Sequence, residues 1–138
     1  MELSKKYGKV AVVMGGKTTE REVSWLSGNA ILKSLLKSGV DAFSFDPSLE
    51  PLANLVNYGC ERAILIIHGK NGEDGKLQGA MEYLGIPYTG SGVMASSIGM
   101  DKYRTKLIWQ TLGVPVAKSQ FVEKANYNVA EFKLGVNL

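Results

Sequence analysis

The chain has 138 residues, enough for one domain with a buried core and room for the beginning of a second. Sixteen lysines and arginines against 13 acids leave a net charge of +3, and no basic block is interleaved with aromatics, which argues against nucleic acid as a partner. The single cysteine, Cys60, cannot form an internal disulfide, and the single histidine, His68, excludes a multi-histidine zinc site. No apolar signal segment follows Met1–Lys6 and no run approaches membrane length, so a cytoplasmic protein without a membrane partner is expected.

The first element is a short apolar run, Val10-Ala11-Val12-Val13, that breaks at Gly15-Gly16 and restarts as a helical pattern from about Glu20 to Lys37. This reads as strand, tight loop, helix. Thr19-Glu20-Arg21-Glu22 fits a capping box, in which the Thr19 hydroxyl accepts from the Glu22 N–H and the Glu22 carboxylate reaches back. Negative charge is favoured near a helix N-terminus, so Glu20 is placed to bind a ligand ammonium, its plainer role being that of a cap. Gly16-Lys17-Thr18 looks like the tail of a phosphate-binding P-loop, but the first glycine of that motif would fall at Ala11, inside the strand. A G-x-G-x-x-G dinucleotide fingerprint is absent as well.

The helix carries Val23, Leu26, Ala30, Leu35 and Leu36 as its apolar residues and stops at Gly39. Asp41–Phe45 alternates as a second strand closed by Asp46-Pro47, and a short helix is expected around Leu52–Tyr58. Ala63–Ile67 is uniformly apolar, as a strand covered on both faces should be. The loop from His68 to Gly75 leads to a helix through Leu77, Met81 and Leu84, and Pro87-Tyr88-Thr89 reads as a brief fourth strand. Helix resumes from Val93 and runs on from Asp101, an N-cap, to Leu112. Val114–Phe121 reads as another strand, with a helix near Val129–Lys133, and the final residues look like a chain cut before its next strand. Such alternation with right-handed crossovers gives a parallel sheet between helices.

Ligands of open α/β sheets bind outside the carboxyl ends of the strands. The Gly15–Glu20 and His68–Gly75 loops both occupy such ends. In a strand order 2-1-3-4 the first and third strands are neighbours, roughly 5 Å apart, and the two loops face one crevice. An order 3-2-1-4 would separate them. Glu73 and Asp74 could be a metal pair, but a turn and the start of the next helix account for them more simply. Lys102 is either a solvated helix charge or a phosphate contact. No G-x-S-x-G elbow occurs, which leaves serine hydrolase chemistry without support.

Gly15-Gly16 with Glu20-Arg21-Glu22-Val23-Ser24, His68-Gly69 with Gly72-Glu73-Asp74-Gly75, Pro87-Tyr88-Thr89-Gly90-Ser91-Gly92 and Met100-Asp101-Lys102 come in the order and spacing of D-alanine–D-alanine ligases. The resemblance runs from about Lys9 to Pro115, with Lys17 as a minor departure. It implies a Rossmann-like α/β domain (a pre-ATP-grasp domain) over residues 1–114, then the start of an ATP-grasp domain over 115–138. It further implies ATP-dependent joining of two D-alanines through an acyl phosphate, in peptidoglycan precursor synthesis. Glu20 matches the glutamate that anchors the first D-alanine's ammonium and serves as catalytic residue. Val23, Ser24 and His68 fall among the substrate-binding positions, and Lys102 matches the lysine expected at the nucleotide phosphates. The ligands are then D-alanine, ATP and magnesium. The magnesium carboxylates are expected beyond Leu138, no metal ligand within the chain, and the assembly is expected to be a homodimer. On this reading the 138 residues alone are inactive. The alternatives are the nucleotide-binding domain of an oxidoreductase and a non-catalytic dimerisation or binding module.

Overall fold

The computed structural model describes residues 3–119 and residue 122. Among these described residues nine elements follow one another: α1 (Leu3–Tyr7), β1 (Val10–Val13), α2 (Arg21–Lys37), β2 (Ala42–Phe45), α3 (Asn54–Asn57), β3 (Arg62–Leu65), α4 (Lys76–Tyr83), α5 (Val93–Met100) and α6 (Lys102–Thr111). They fall into two compact units, residues 1–100 and 101–138.

In the first unit the three strands are parallel in the order β2-β1-β3. The register sets Val13 level with Phe45 on one side and Leu65 on the other. Consequently the loops after β1 and β3 leave the sheet at the same height and next to each other. The brief fourth strand reduces to a bridge: Tyr88 pairs in parallel with Ala63, whose N–H donates to the Pro87 carbonyl at 2.8 Å and whose carbonyl accepts from the Thr89 N–H at 3.1 Å. That places 87–89 beside β3, on the side away from β1.

Strand alternation divides the side chains of β1 between two faces. Ala11 and Val13 join Phe45, Leu55, Ala63, Ile67, Leu77, Met81 and Ile86 in a core beneath α3 and α4. Met14 turns to the other face, against α2, where a Cβ added to Gly28 would stand 2.7 Å from the Met14 Cβ. The helix therefore rests on the sheet through a position with no side chain.

Four expectations are corrected here. The apolar residues picked out on α2 do not form its buried face: Val23 is 54% exposed and Leu26 75% exposed, while Ser24 and Gly28 are buried. Small residues win that face because they let helix and sheet approach closely. The capping box does not form, since Glu20 is itself the N-cap and no side chain caps the helix. The strand after Leu65 ends two residues early, and of β3 only Ala63 is fully buried, Ile64 and Leu65 being half-buried and Arg62 exposed. From Val114 to Ser119 the chain has no regular structure, where a strand reaching Phe121 is expected. Phe121 and the helix expected near Val129–Lys133 lie outside the described residues.

In the second unit, α6 opens on Asp101, whose carboxylate accepts from the Arg104 N–H at 2.9 Å and pairs with the Arg104 guanidinium. The hydrogen bonds from Arg104 hold the Asp101 carboxyl below its ordinary 3.8. This is the N-cap expected from the sequence.

Candidate functional site

The carboxyl edge of the sheet is built around Gly15 and Gly16, whose φ angles of +85° and +81° suit glycine and turn the chain sharply out of β1. Three side chains fix that turn. Ser24, fully buried in the first turns of α2, accepts from the Gly15 N–H at 2.8 Å and donates to the Ile66 carbonyl at 2.6 Å. One hydroxyl thus ties the first loop, the helix and the end of β3. Asp46, just past β2, accepts from the Gly16 N–H at 3.0 Å and the Ser48 N–H at 2.9 Å, and pairs with Arg21 at 2.7 Å. Arg21 in turn donates to the Gly16 carbonyl and the Ser48 hydroxyl, both at 2.6 Å.

Both polar atoms of the Gly16 backbone unit are therefore held by an ion pair whose carboxylate is 4% exposed. Burial alone would raise the Asp46 carboxyl. The Gly16 and Ser48 N–H groups, the Ser48 hydroxyl and the Arg21 guanidinium outweigh it and hold the group below its ordinary 3.8.

This bracing delivers Glu20 to the edge. Its backbone caps α2, yet its carboxylate makes no side-chain cap bond and has no ion-pair partner among the described residues. It abuts the loop after β3, where a Cβ on Gly69 would lie 3.5 Å from Glu20 Oε1. The Thr18 hydroxyl bridges the same two loops by donating to the His68 carbonyl at 3.2 Å. Glu20 and His68 are thus neighbours on one sheet edge.

The His68 side chain is 33% exposed, with Nδ1 at 3.8 Å from Glu73 Oε1. Its Nε2 is buried and finds no hydrogen-bond partner among the described residues. Glu73 also accepts from the Gly69 N–H at 2.8 Å, which curls the loop back on itself. His68 and Glu73 line a cavity of about 270 Å³ with Gln78, Thr89, Gly90 and Ser91. The Pro87–Gly92 motif therefore joins the His68 loop around one space, while Glu20 stands outside its lining.

Val23, one turn along from Glu20, is exposed beside it. Ser24 lies underneath, its hydroxyl proton spent on Ile66. Lys102 begins α6 in the second unit and is exposed. Glu73 and Asp74 do not form a metal site with any third ligand: the described residues contain no group of three His, Cys, Asp or Glu able to hold an ion. Instead Asp74 pairs with Lys76 at 3.4 Å.

Sequence reasoning missed Arg21, Asp46 and Thr18. A signal for Asp46 was present, because an acid directly after a strand adjacent to β1 must stand at the same edge as the glycine loop.

This architecture defines an α/β domain with a cavity along the carboxyl edge of a parallel sheet. Residues 52–91 match the family described as D-ala D-ala ligase N-terminus. The D-alanine–D-alanine ligase of Neisseria gonorrhoeae is 55% identical over 131 residues, 94% of this chain and 43% of that protein. Its counterpart from Laribacter hongkongensis is 49% identical over 135 residues, 97% of this chain and 44% of that protein. Among solved structures, the Bacillus anthracis ligase complexed with ATP superposes with a TM-score of 0.66 at 36% identity, over 76% of this chain and 35% of the other. The Aeromonas hydrophila ligase gives 0.74 at 28% identity, over 86% and 52%. The chain belongs with the D-alanine–D-alanine ligases and corresponds to their amino-terminal part. It spans less than half the length of the curated relatives just described.

Proposed function

We propose that these residues form the first-substrate side of an ATP-dependent ligase that joins two D-alanines for peptidoglycan precursors. The observation that carries the reading is the 55% identity to a named D-alanine–D-alanine ligase over nearly the whole chain. The geometry of the edge supports it. Glu20 offers a carboxylate with no cap bond, suited to the ammonium of an amino acid. One loop away, His68 brings a buried nitrogen with no partner among the described residues, suited to the substrate's carboxylate end. Val23 walls the substrate beside Glu20, and Ser24 acts from below by fixing the loop that carries the glutamate.

ATP, when bound, supplies the phosphoryl group that activates the first carboxylate. Lys102 is the residue proposed to meet its phosphates, as a compact cation at the first turn of α6. Magnesium finds no fitting set of donors among the described residues. A cytoplasmic location and a homodimeric assembly belong to the same proposal.

The test uses a full-length ligase carrying this sequence at its amino end. It should release phosphate only with both ATP and D-alanine. Glu20→Gln should weaken first-site D-alanine roughly ten- to hundredfold, the equivalent of about 1.5–3 kcal/mol for a charge-assisted hydrogen bond, with the melting temperature unchanged. An unaltered D-alanine dependence would reduce Glu20 to the backbone cap of α2.

A further inference from the structure

A second crevice opens at the same edge, on the side of α3 and α4. It encloses about 290 Å³ and is lined by Gly16, Lys17, Pro47, Ser48, Leu52, Ile67, Lys70, Asn71, Lys76 and Leu77. Neither Glu20 nor His68 lines it. Three lysines from three segments converge on this one space: Lys17 from the loop after β1, Lys70 from the loop after β3, and Lys76 from the start of α4.

The nearby acids do not offset them. Among the described residues no carboxylate lines the crevice. Asp46 is taken up by Arg21, and Glu73 by the Gly69 N–H and His68. Asp74 compensates Lys76, which also donates to the Asn71 side chain at 3.2 Å. Lys17 and Lys70 have no ion-pair partner among the described residues, leaving two uncompensated positive charges. The helix dipole of α4 adds positive potential, because its first residues, Lys76 and Leu77, form one wall. Like charges gathered in a concave site repel one another and raise the local potential for anions. Leu52, Ile67, Leu77 and Pro47 provide an apolar surface beneath the charges.

We infer that this crevice binds a small phosphate-bearing anion, separately from the site of Glu20 and His68. The phosphate sits among Lys17, Lys70 and Lys76, and a short carbon skeleton lies over Leu52 and Leu77. The volume, at the lower end of ligand pockets, restricts the ligand to a few carbons. The Gly16-Lys17-Thr18 sequence thus keeps a phosphate-related role although it is no P-loop. This assignment rests on the charge geometry and is independent of the ligase reading.

Pyrophosphate is the probe, titrated into the 138-residue chain while backbone amides are followed by NMR at physiological ionic strength. Saturable shifts confined to Gly16, Lys17, Ser48, Lys70, Asn71 and Leu77 are expected. The Lys17→Gln/Lys70→Gln double variant, which removes both charges and keeps the side chains polar, should bind at least about tenfold more weakly, a loss near one decade of Kd. Its spectrum without pyrophosphate should match the parent away from the two sites, which shows that it folds. Shifts spread over Lys33, Lys37 and Lys106 would overturn the assignment, as would double-variant affinity within twofold of the parent.

Discussion

Asp46 holds the most consequential side chain at this edge, although it touches no proposed ligand. It anchors the Gly16 N–H and the Arg21 guanidinium together. Asp46→Asn keeps the shape but removes the charge, leaving Arg21 facing a neutral amide. Because Arg21 is itself 35% exposed, solvent screens part of the loss, and destabilisation of about 1–3 kcal/mol is expected by urea unfolding at neutral pH. The pH dependence follows from the sign of the shift. The Asp46 carboxyl is lowered in the folded protein, so its contribution is complete above the ordinary 3.8 and is lost as pH falls through the folded value. The gap between parent and Asp46→Asn should therefore narrow only below about pH 3.8. A gap that stayed constant to pH 2.5, roughly, would show that Asp46 is not held charged by these bonds. Sequence showed Asp46 only as the residue closing a strand. Its partner Arg21 lies across the sheet edge, and no local pattern reports a contact between segments 25 residues apart, as residues 21 and 46 are.

At the level of the element, α2 shows which part of the pattern was legible. Its extent agrees with the reading from Glu20 to Lys37 within one residue. So do the places of β1, β2 and α4, because runs of β-branched residues and glycine stops are local signals. The buried face was not legible, since hydrophobic periodicity assigns the interior to large apolar residues, whereas here Ser24 and Gly28 occupy it. The serine is there for its hydrogen bonds and the glycine for its lack of a side chain. Gly28→Ala tests this directly. In an exposed helix the exchange would stabilise by about 0.5–1 kcal/mol, but here the new methyl meets the Met14 Cβ at 2.7 Å. Overpacking should instead cost about 1–3 kcal/mol, read as a lowered midpoint in thermal unfolding. A stabilised Gly28→Ala would mean that α2 stands further from the sheet.

For the molecule as a whole, the strand order decides whether the two glycine loops meet. Right-handed crossovers are compatible with both 2-1-3-4 and 3-2-1-4, so the sequence left the order open, and the structure has 2-1-3. With that order, Glu20 and His68 become neighbours; with 3-2-1 they would be separated. The order alone did not decide which cavity each side chain faces, because that depends on how the His68 loop folds back through Glu73. The last expectation concerns activity. The relatives described above are more than twice as long as the matched segment, and the described residues include no set of three acidic, cysteine or histidine side chains to bind magnesium. Phosphoryl transfer depends on metal and cationic groups placed around the transferring phosphate, and one exposed lysine, Lys102, does not supply that arrangement. The 138 residues by themselves should therefore release no phosphate from ATP in the presence of D-alanine. The same preparation should still bind D-alanine weakly through Glu20, visible as amide shifts at Glu20 and Gly69 that vanish in Glu20→Gln. D-alanine-dependent phosphate release from the isolated chain would place catalytic groups within residues 1–138 and overturn the division of labour proposed for the ligase.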